Sequence, residues 1–230
     1  MRVLTNPHKP HIITVMITTV IWDWNGTLLD DVDACIDTEN TLLSARGMLL
    51  IDKARYREIF TFPVIEYYRS CGFTFENETY EAVSDEYVAG YMERNKSCGL
   101  FGDAVSALES LRQAGLVQIL LTASHEDMLL EQLKAFDIER YFDAMIAQRD
   151  AFAVGKTGSA RQFMSERGIN PREAVLIGDT VHDCDVARAI GAECLLVPRG
   201  HHTRERLCGC GGIVTDGLTQ AAQWILDRSV

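Results

Sequence analysis

Apolar residues gather in short, separated runs along this chain, and several of the runs stop abruptly at a polar side chain. The first, Ile17 to Trp22, is rich in β-branched residues and ends at Asp23. A run of this length and kind reads as a strand buried on both faces. Similar runs predict strands at Val117 to Leu121, Ala144 to Ile146, Ala174 to Ile177 and Cys194 to Val197. Helical spacing predicts helices over Gly102 to Ala114, Asp127 to Phe136, Ser159 to Glu166, His182 to Ile190 and Leu218 to Asp227. Strands that alternate with helices mean βαβ units, so the expected fold is α/β with a doubly wound, mainly parallel sheet.

The pattern differs between the first strand and Leu100. Helices are predicted over Asp31 to Ala45, Ala54 to Phe60, Val64 to Ser70 and Glu78 to Asn95, with a turn at Thr61-Phe62-Pro63. No strong strand signal interrupts them. Residues 34–100 therefore read as an α-helical insert in a core made of residues 16–33 and 101–230. Residues 1–15 read as an irregular, disordered lead-in, and Met16 offers a second start just before the first strand.

Composition narrows the classes. Of 230 residues, 47% are hydrophobic, enough for a buried core. The formal net charge of −11 argues against nucleic acid or an anionic membrane as partner. An anionic substrate then needs a local positive site, from a metal ion, a lysine or backbone N–H groups. No apolar run approaches the roughly 20 residues that span a bilayer, and the first run lacks a small-residue cleavage site. The 7 cysteines, an odd number, suit reduced thiols, so a cytoplasmic protein is expected. Cys208-Gly-Cys210 lacks the spacing of a zinc site and has no second pair.

Chemistry-bearing residues stand where the strands end. Asp23-Trp24-Asn25-Gly26-Thr27-Leu28 follows the first strand, Thr122-Ala123-Ser124 another, and Gly178-Asp179-Thr180-Val181-His182-Asp183 a third. Val154-Gly155-Lys156-Thr157 sets a lysine in a loop before a helix. Parallel strands bring their carboxyl ends to one rim, where open α/β sheets bind ligands. Each residue also has a plainer reading. Asp23 can cap a turn, Thr122 can open a helix, Lys156 can be a solvated charge, and Asp179 with Asp183 can face water on one helix. Gly155-Lys156-Thr157 is not the end of a phosphate-binding loop, because position 150 is aspartate.

These four motifs, in this order, resemble the haloacid dehalogenase-like (HAD) hydrolase superfamily, in its phosphoglycolate-phosphatase-like branch. The resemblance covers nearly all of the chain from Ile17 onward. It implies a HAD-like, Rossmann-type core with the helical insert as a cap. It implies Asp23 as nucleophile forming an aspartyl-phosphate, with Mg²⁺ held by the Asp23 carboxylate, the Asn25 carbonyl and Asp179. Asp183 would join that metal group by orienting it or by holding Lys156. Gly26, Thr27, Thr122, Ala123 and Lys156 would surround the phosphoryl group. The implied partner is a small phosphorylated metabolite bound by a monomer or homodimer.

One position departs from the family pattern. Two residues after the nucleophile such phosphatases carry a second aspartate, the general acid/base, and here Asn25 stands in that place. An amide cannot exchange that proton, and loss of a general acid/base costs about 10²–10⁴-fold in rate. Three readings follow. His125, His182 or Asp183 can take the role; the leaving group can need no proton, as in an acyl phosphate or phosphonate; or the protein can be a slow or non-catalytic binder of a phosphorylated ligand. The phosphonate branch uses a cap lysine, and only Lys53 and Lys96 are available. Activity surviving in chelator would point instead to a dehalogenase. Asn25→Asp is expected to raise turnover where the site is otherwise intact. Phe60-Thr61-Phe62-Pro63, with Arg55, Arg57 and Arg69 nearby, is a candidate substrate-facing turn; the alternative is that both phenylalanines pack the cap core.

Overall fold

The computed structural model describes residues 16–148 and 156–229. The lead-in of residues 1–15 and residues 154–155 of the third motif lie outside them. In chain order the elements are β1 (Thr19–Trp22), β2 (Leu29–Asp30), α1 (Val32–Ala45), α2 (Lys53–Ile59), α3 (Val64–Cys71), α4 (Tyr80–Asn95) and β3 (Gly99–Leu100). There follow α5 (Ala104–Gln113), β4 (Val117–His125), α6 (Glu126–Ala135), β5 (Ala144–Gln148), α7 (Lys156–Arg167) and β6 (Ala174–Gly178). The chain closes with α8 (Val181–Ile190), β7 (Glu193–Leu196), α9 (Arg204–Cys208), β8 (Ile213–Val214) and α10 (Leu218–Leu226).

Six strands form one sheet in the order β5-β4-β1-β6-β7-β8, and each neighbouring pair is parallel. The two-residue periodicity of the strands divides the core in two. Val20, Trp22, Leu120, Val175 and Ile177 face α5, α6 and α10, through Leu108, Leu111, Leu133 and Ile225 among others. Ile21, Ile119, Leu121, Leu176 and Leu196 face α7 and α8, through Met164, Val186, Ala187 and Ile190. Strands loaded on both sides read as continuous apolar runs, which is why they were legible. Gln118 interrupts the apolar run of β4. It is fully buried because its side chain accepts from Trp22 Nε1 at 2.9 Å and donates to the Leu108 carbonyl at 3.0 Å.

Helices α1–α4 enclose a third apolar cluster, including Val32, Ile36, Leu43, Tyr56, Tyr67, Tyr68, Val83 and Tyr91. A short antiparallel ribbon, β2 with β3, joins the two ends of this helical segment through Leu29↔Leu100 and Asp30↔Gly99. The sequence reading has no strand there, because two residues carry no periodicity. The same holds for β8, and α9 is only 5 residues long.

Glu39 is buried inside the helical cluster near Tyr67 and Cys71, yet neither its carboxylate oxygens nor the Tyr67 hydroxyl makes a hydrogen bond to a described residue. Burial pushes its pKa up from 4.5 to about 7. The unfolded chain releases this proton near pH 4.5 and the folded chain only near 7. Stability is therefore lost as pH rises through that window, by roughly 3 kcal/mol at most. Glu39→Gln is expected to gain stability relative to the parent between about pH 4 and pH 8. Thermal melting at both pH values checks this; a gain independent of pH would contradict it.

Candidate active site

The parallel register places the ends of β1, β4 and β6 on one rim, with Trp22 opposite Ile177 on one side and Leu120 on the other. Asp23 and Asp179 thus leave two adjacent strands, as the sequence predicts, while Thr122 lies on the neighbouring β4 just past the regular pairing that ends at Leu121. All three are buried, as is Asp183 in the first turn of α8. The solvated-face reading of Asp179 and Asp183 fails for that reason.

Lys156 closes the group. Its ammonium donates to Asp23 Oδ1 and, at 2.6 Å, to Asp183 Oδ1, and its side chain is only 8% exposed. The lysine therefore is not a solvated charge. Nor does it sit in a loop ahead of the helix: α7 takes in Lys156, three residues before the expected start at Ser159. Thr157-Gly158 has low helix propensity, and the buried ion pairs hold that first turn in place regardless. Thr27 Oγ1 lies between two carboxylates, 3.0 Å from Asp23 Oδ2 and 3.2 Å from Asp179 Oδ1. Asp183 also caps its own helix, accepting from the Thr180 hydroxyl at 2.6 Å and backbone N–H at 3.1 Å.

These contacts set the electrostatics. Burial pushes Asp23 up to about 6, against the pull of Lys156. Burial and the neighbouring Asp23 and Asp183 push Asp179 well above the carboxylate range. Burial opposes charge on Asp183 as well, but Lys156 and Thr180 outweigh it and hold its pKa down. Burial alone would lower Lys156; Asp183 and Asp23 reverse that and raise it. Among the described residues, three buried carboxylates meet one ammonium, which leaves negative charge uncompensated. Oxygens of Asp23, Asp179 and Asp183 lie within 4.8 Å of one another, which suits a hard divalent cation. The donor set therefore fits Mg²⁺.

Gly26 and Gly200 make the close approach feasible. Gly26 has φ +72°, and a Cβ there would meet Asp179 Oδ2 at 2.4 Å. A Cβ on Gly200 would meet the same oxygen at 2.0 Å and the Gly26 carbonyl at 2.4 Å. The Gly26 N–H is used within the loop, donating to Asp31 Oδ1 and the Leu29 carbonyl, both at 2.9 Å.

Of the other predicted residues, Thr122 is neither a helix start nor a turn. It lies in β4, which runs on to His125 with a register shift after Leu121, and its hydroxyl accepts from Ser124 N at 3.0 Å. Ala123 is exposed on the same stretch. His125 stands at the surface and caps α6, so it does not join the site. His182 is half-buried under Phe62, ring centroids 4.6 Å apart. Phe60 packs on Tyr56 and Tyr67 in the helical cluster and on His201. Arg55 and Arg69 make exposed pairs with Glu58 and Glu66, and Lys53 and Lys96 with Asp33 and Glu93. Arg57 donates to the Gly200 and Arg199 carbonyls.

The loop after β7 escaped the sequence reading. His201 is buried against Gly26; its backbone N–H donates to Asp179 Oδ2 and its Nδ1 lies 2.8 Å from the Tyr56 hydroxyl. His202 Nδ1 accepts from Val181 N at 3.0 Å, so Nε2 donates to the Phe60 carbonyl at 2.9 Å. Arg206 donates to the Arg57 and Phe60 carbonyls, each at 2.8 Å. This loop thus joins the helical segment to the carboxylate cluster. Its one local signal is weaker than that of Asp23: Gly200-His201-His202 begins four residues beyond the end of β7, whereas Asp23 directly follows β1.

Comparison with known proteins gives a consistent placement. The family model described as haloacid dehalogenase-like hydrolase matches residues 20–197. A phosphoglycolate phosphatase of Mesorhizobium japonicum is 25% identical over 199 residues, 81% of this chain and 86% of that protein. An (S)-2-haloacid dehalogenase of Burkholderia cepacia is 25% identical over 127 residues, 55% of this chain and about half, 53%, of that protein. Among solved structures, a haloacid dehalogenase-like family hydrolase of Streptococcus pneumoniae superposes with a TM-score of 0.79 at 19% identity, covering 90% of this chain and 98% of that one.

Proposed function

We propose that this chain, which belongs to the haloacid dehalogenase-like hydrolase family, is a Mg²⁺-dependent phosphatase of a small phosphorylated metabolite. The observation that carries the reading is the linked set of Lys156 on Asp23 and Asp183, with Thr27 between Asp23 and Asp179. The cation would be held by Asp23 and Asp179, with the Asn25 carbonyl and Asp183 beside them. When bound it supplies positive charge that offsets the clustered carboxylates and draws in the phosphoryl oxygens.

Asp23 is the group placed to attack. Its carboxylate forms the new O–P bond as the ester P–O bond breaks, and the leaving oxygen departs with the electron pair. Lys156 holds the attacking carboxylate and neutralises the incoming phosphoryl charge. Water then cleaves the aspartyl-phosphate and releases phosphate. Helices α1–α4 act as the cap, held over the rim by Tyr56, Arg57 and Phe60 on the loop after β7, and exclude bulk water. Asn25 has no carboxyl proton to give, so turnover is expected to be fastest on leaving groups that need none, such as aryl phosphates.

Phosphate release from aryl phosphates and a panel of phosphorylated metabolites, with Mg²⁺ and with chelator, tests the reading. Phosphoglycolate enters the panel because a relative carries that name. Metal-dependent release supports it. Negligible release from every member favours a non-catalytic binder of phosphorylated ligands. Dehalogenation that persists in chelator favours the haloacid chemistry named in the shorter match.

A further inference from the structure

The Asn25 side chain is held from three directions. Its Nδ2 donates to Asp31 Oδ2 and to the Tyr91 hydroxyl, each at 2.8 Å, and its Oδ1 accepts from Ser124 Oγ at 2.7 Å. Tyr91 Oη in turn donates to the same Asp31 oxygen at 2.6 Å, while Asp31 Oδ1 accepts from Gly26 N at 2.9 Å. Asp31 is 1% exposed and, among the described residues, has no salt-bridge partner closer than His201 Nε2 at 3.7 Å. Burial pushes the Tyr91 pKa well up, so the hydroxyl remains a proton donor. Apart from the Gly26 N–H, which the Leu29 carbonyl shares, each hydrogen in this network has one acceptor, and the carboxylate at 31 sets its polarity.

We infer that Asp31 is a positioning residue that makes asparagine the compatible side chain at 25, because this pocket accommodates one carboxylate shared between the two positions and this chain places it at 31. The reading of Asn25 as an aspartate simply lost is incomplete. An aspartate at 25 would set an oxygen 2.8 Å from Asp31 Oδ2, with one Tyr91 hydrogen between them. Both atoms would then be acceptors, so the Asp31 oxygen would lose the donor that the Asn25 amide supplies and face another oxygen in a buried pocket. The site is therefore not otherwise intact with respect to Asn25→Asp, and that change alone does not raise turnover.

The exchanged pair satisfies the same geometry. An asparagine at 31 would accept from Gly26 N through its oxygen and donate through its amide toward position 25 and Tyr91. An aspartate at 25 would then accept from that amide, from Tyr91 and from Ser124. The exchange returns a carboxylate to the place where the general acid/base is wanted. The network also crosses the molecule: Ser124 lies on β4, Tyr91 on α4, and Asp31 immediately before α1.

The test is a double-substitution cycle on the full chain: Asn25→Asp, Asp31→Asn and both together. Melting temperature does not depend on the phosphatase reading on which the turnover arm rests. Each single change is expected to lower it by roughly 5 °C or more. The exchange is expected to recover at least about half of the summed loss. Turnover of an aryl phosphate with Mg²⁺ is expected to stay at or below the parent for the single changes and to rise at least about 10-fold for the exchange. Singles that do not fold beside an exchange that does would also support the pairing. An exchange whose losses add, or that fails to fold, overturns it, as does Asn25→Asp that melts with the parent. Recovered stability without a gain in turnover supports the pairing and contradicts the phosphatase reading instead.

Discussion

Asp23→Asn is expected to lower Mg²⁺-dependent turnover by roughly 10⁴-fold or more, the scale on which removal of a covalent nucleophile acts. The side chains are nearly isosteric, so Thr27 and Lys156 keep a partner at 23 and the pocket keeps its shape. Binding of phosphate, measured by competition or calorimetry, should survive far better than rate. That split separates a nucleophile from a residue that only shapes the site. A variant that retains more than about 1% of the parent rate would show that another group attacks.

Lys156→Met is expected to damage both stability and rate. The ammonium is buried between Asp23 and Asp183. Removing one partner of a buried ion pair costs about 3–5 kcal/mol, because the remaining charges lose their compensation. For a chain of this size that is a fall of roughly 10 °C in melting temperature. Mg²⁺ should raise the variant's melting temperature by more than it raises the parent's, since the cation then supplies the charge that Lys156 provided. Equal responses to Mg²⁺ would place the cation away from these carboxylates.

Much of this was legible in the chain because the signals are local. Strands buried on both faces announce themselves as apolar runs, and the residue after each run is fixed on the rim by topology alone. Asp23 and Asp179 follow from that rule, and Asp183 from the first turn of the helix that comes after Asp179. Lys156 was found too, although the helix that takes it in was placed three residues late, because tertiary ion pairs outweigh the weak propensity of Thr157-Gly158. What stayed hidden depends on contacts between distant segments. Tyr91 meets Asp31 across 60 positions and Ser124 meets Asn25 across 99. Asp31 itself looked like an ordinary start of a helix. His201 reaches Asp179 and Tyr56 from a loop whose only local signal is its place after a strand. The two-residue ribbon of β2 and β3 has no pattern to read. Asn25 shows the difference most clearly: its identity was visible as a departure, but its reason lies in a carboxylate six residues on that folds back against it.

The central claim is that Asp23 receives the phosphoryl group within a ring of Asp179, Asp183 and Lys156. Acid quenching during turnover of an aryl phosphate with Mg²⁺, followed by peptide mass spectrometry, addresses it directly. The account predicts one phosphoryl group on the peptide that contains Asp23, absent in chelator and absent from Asp23→Asn. Continued turnover with no phosphoryl group on that peptide, or with the group on another side chain, would contradict it.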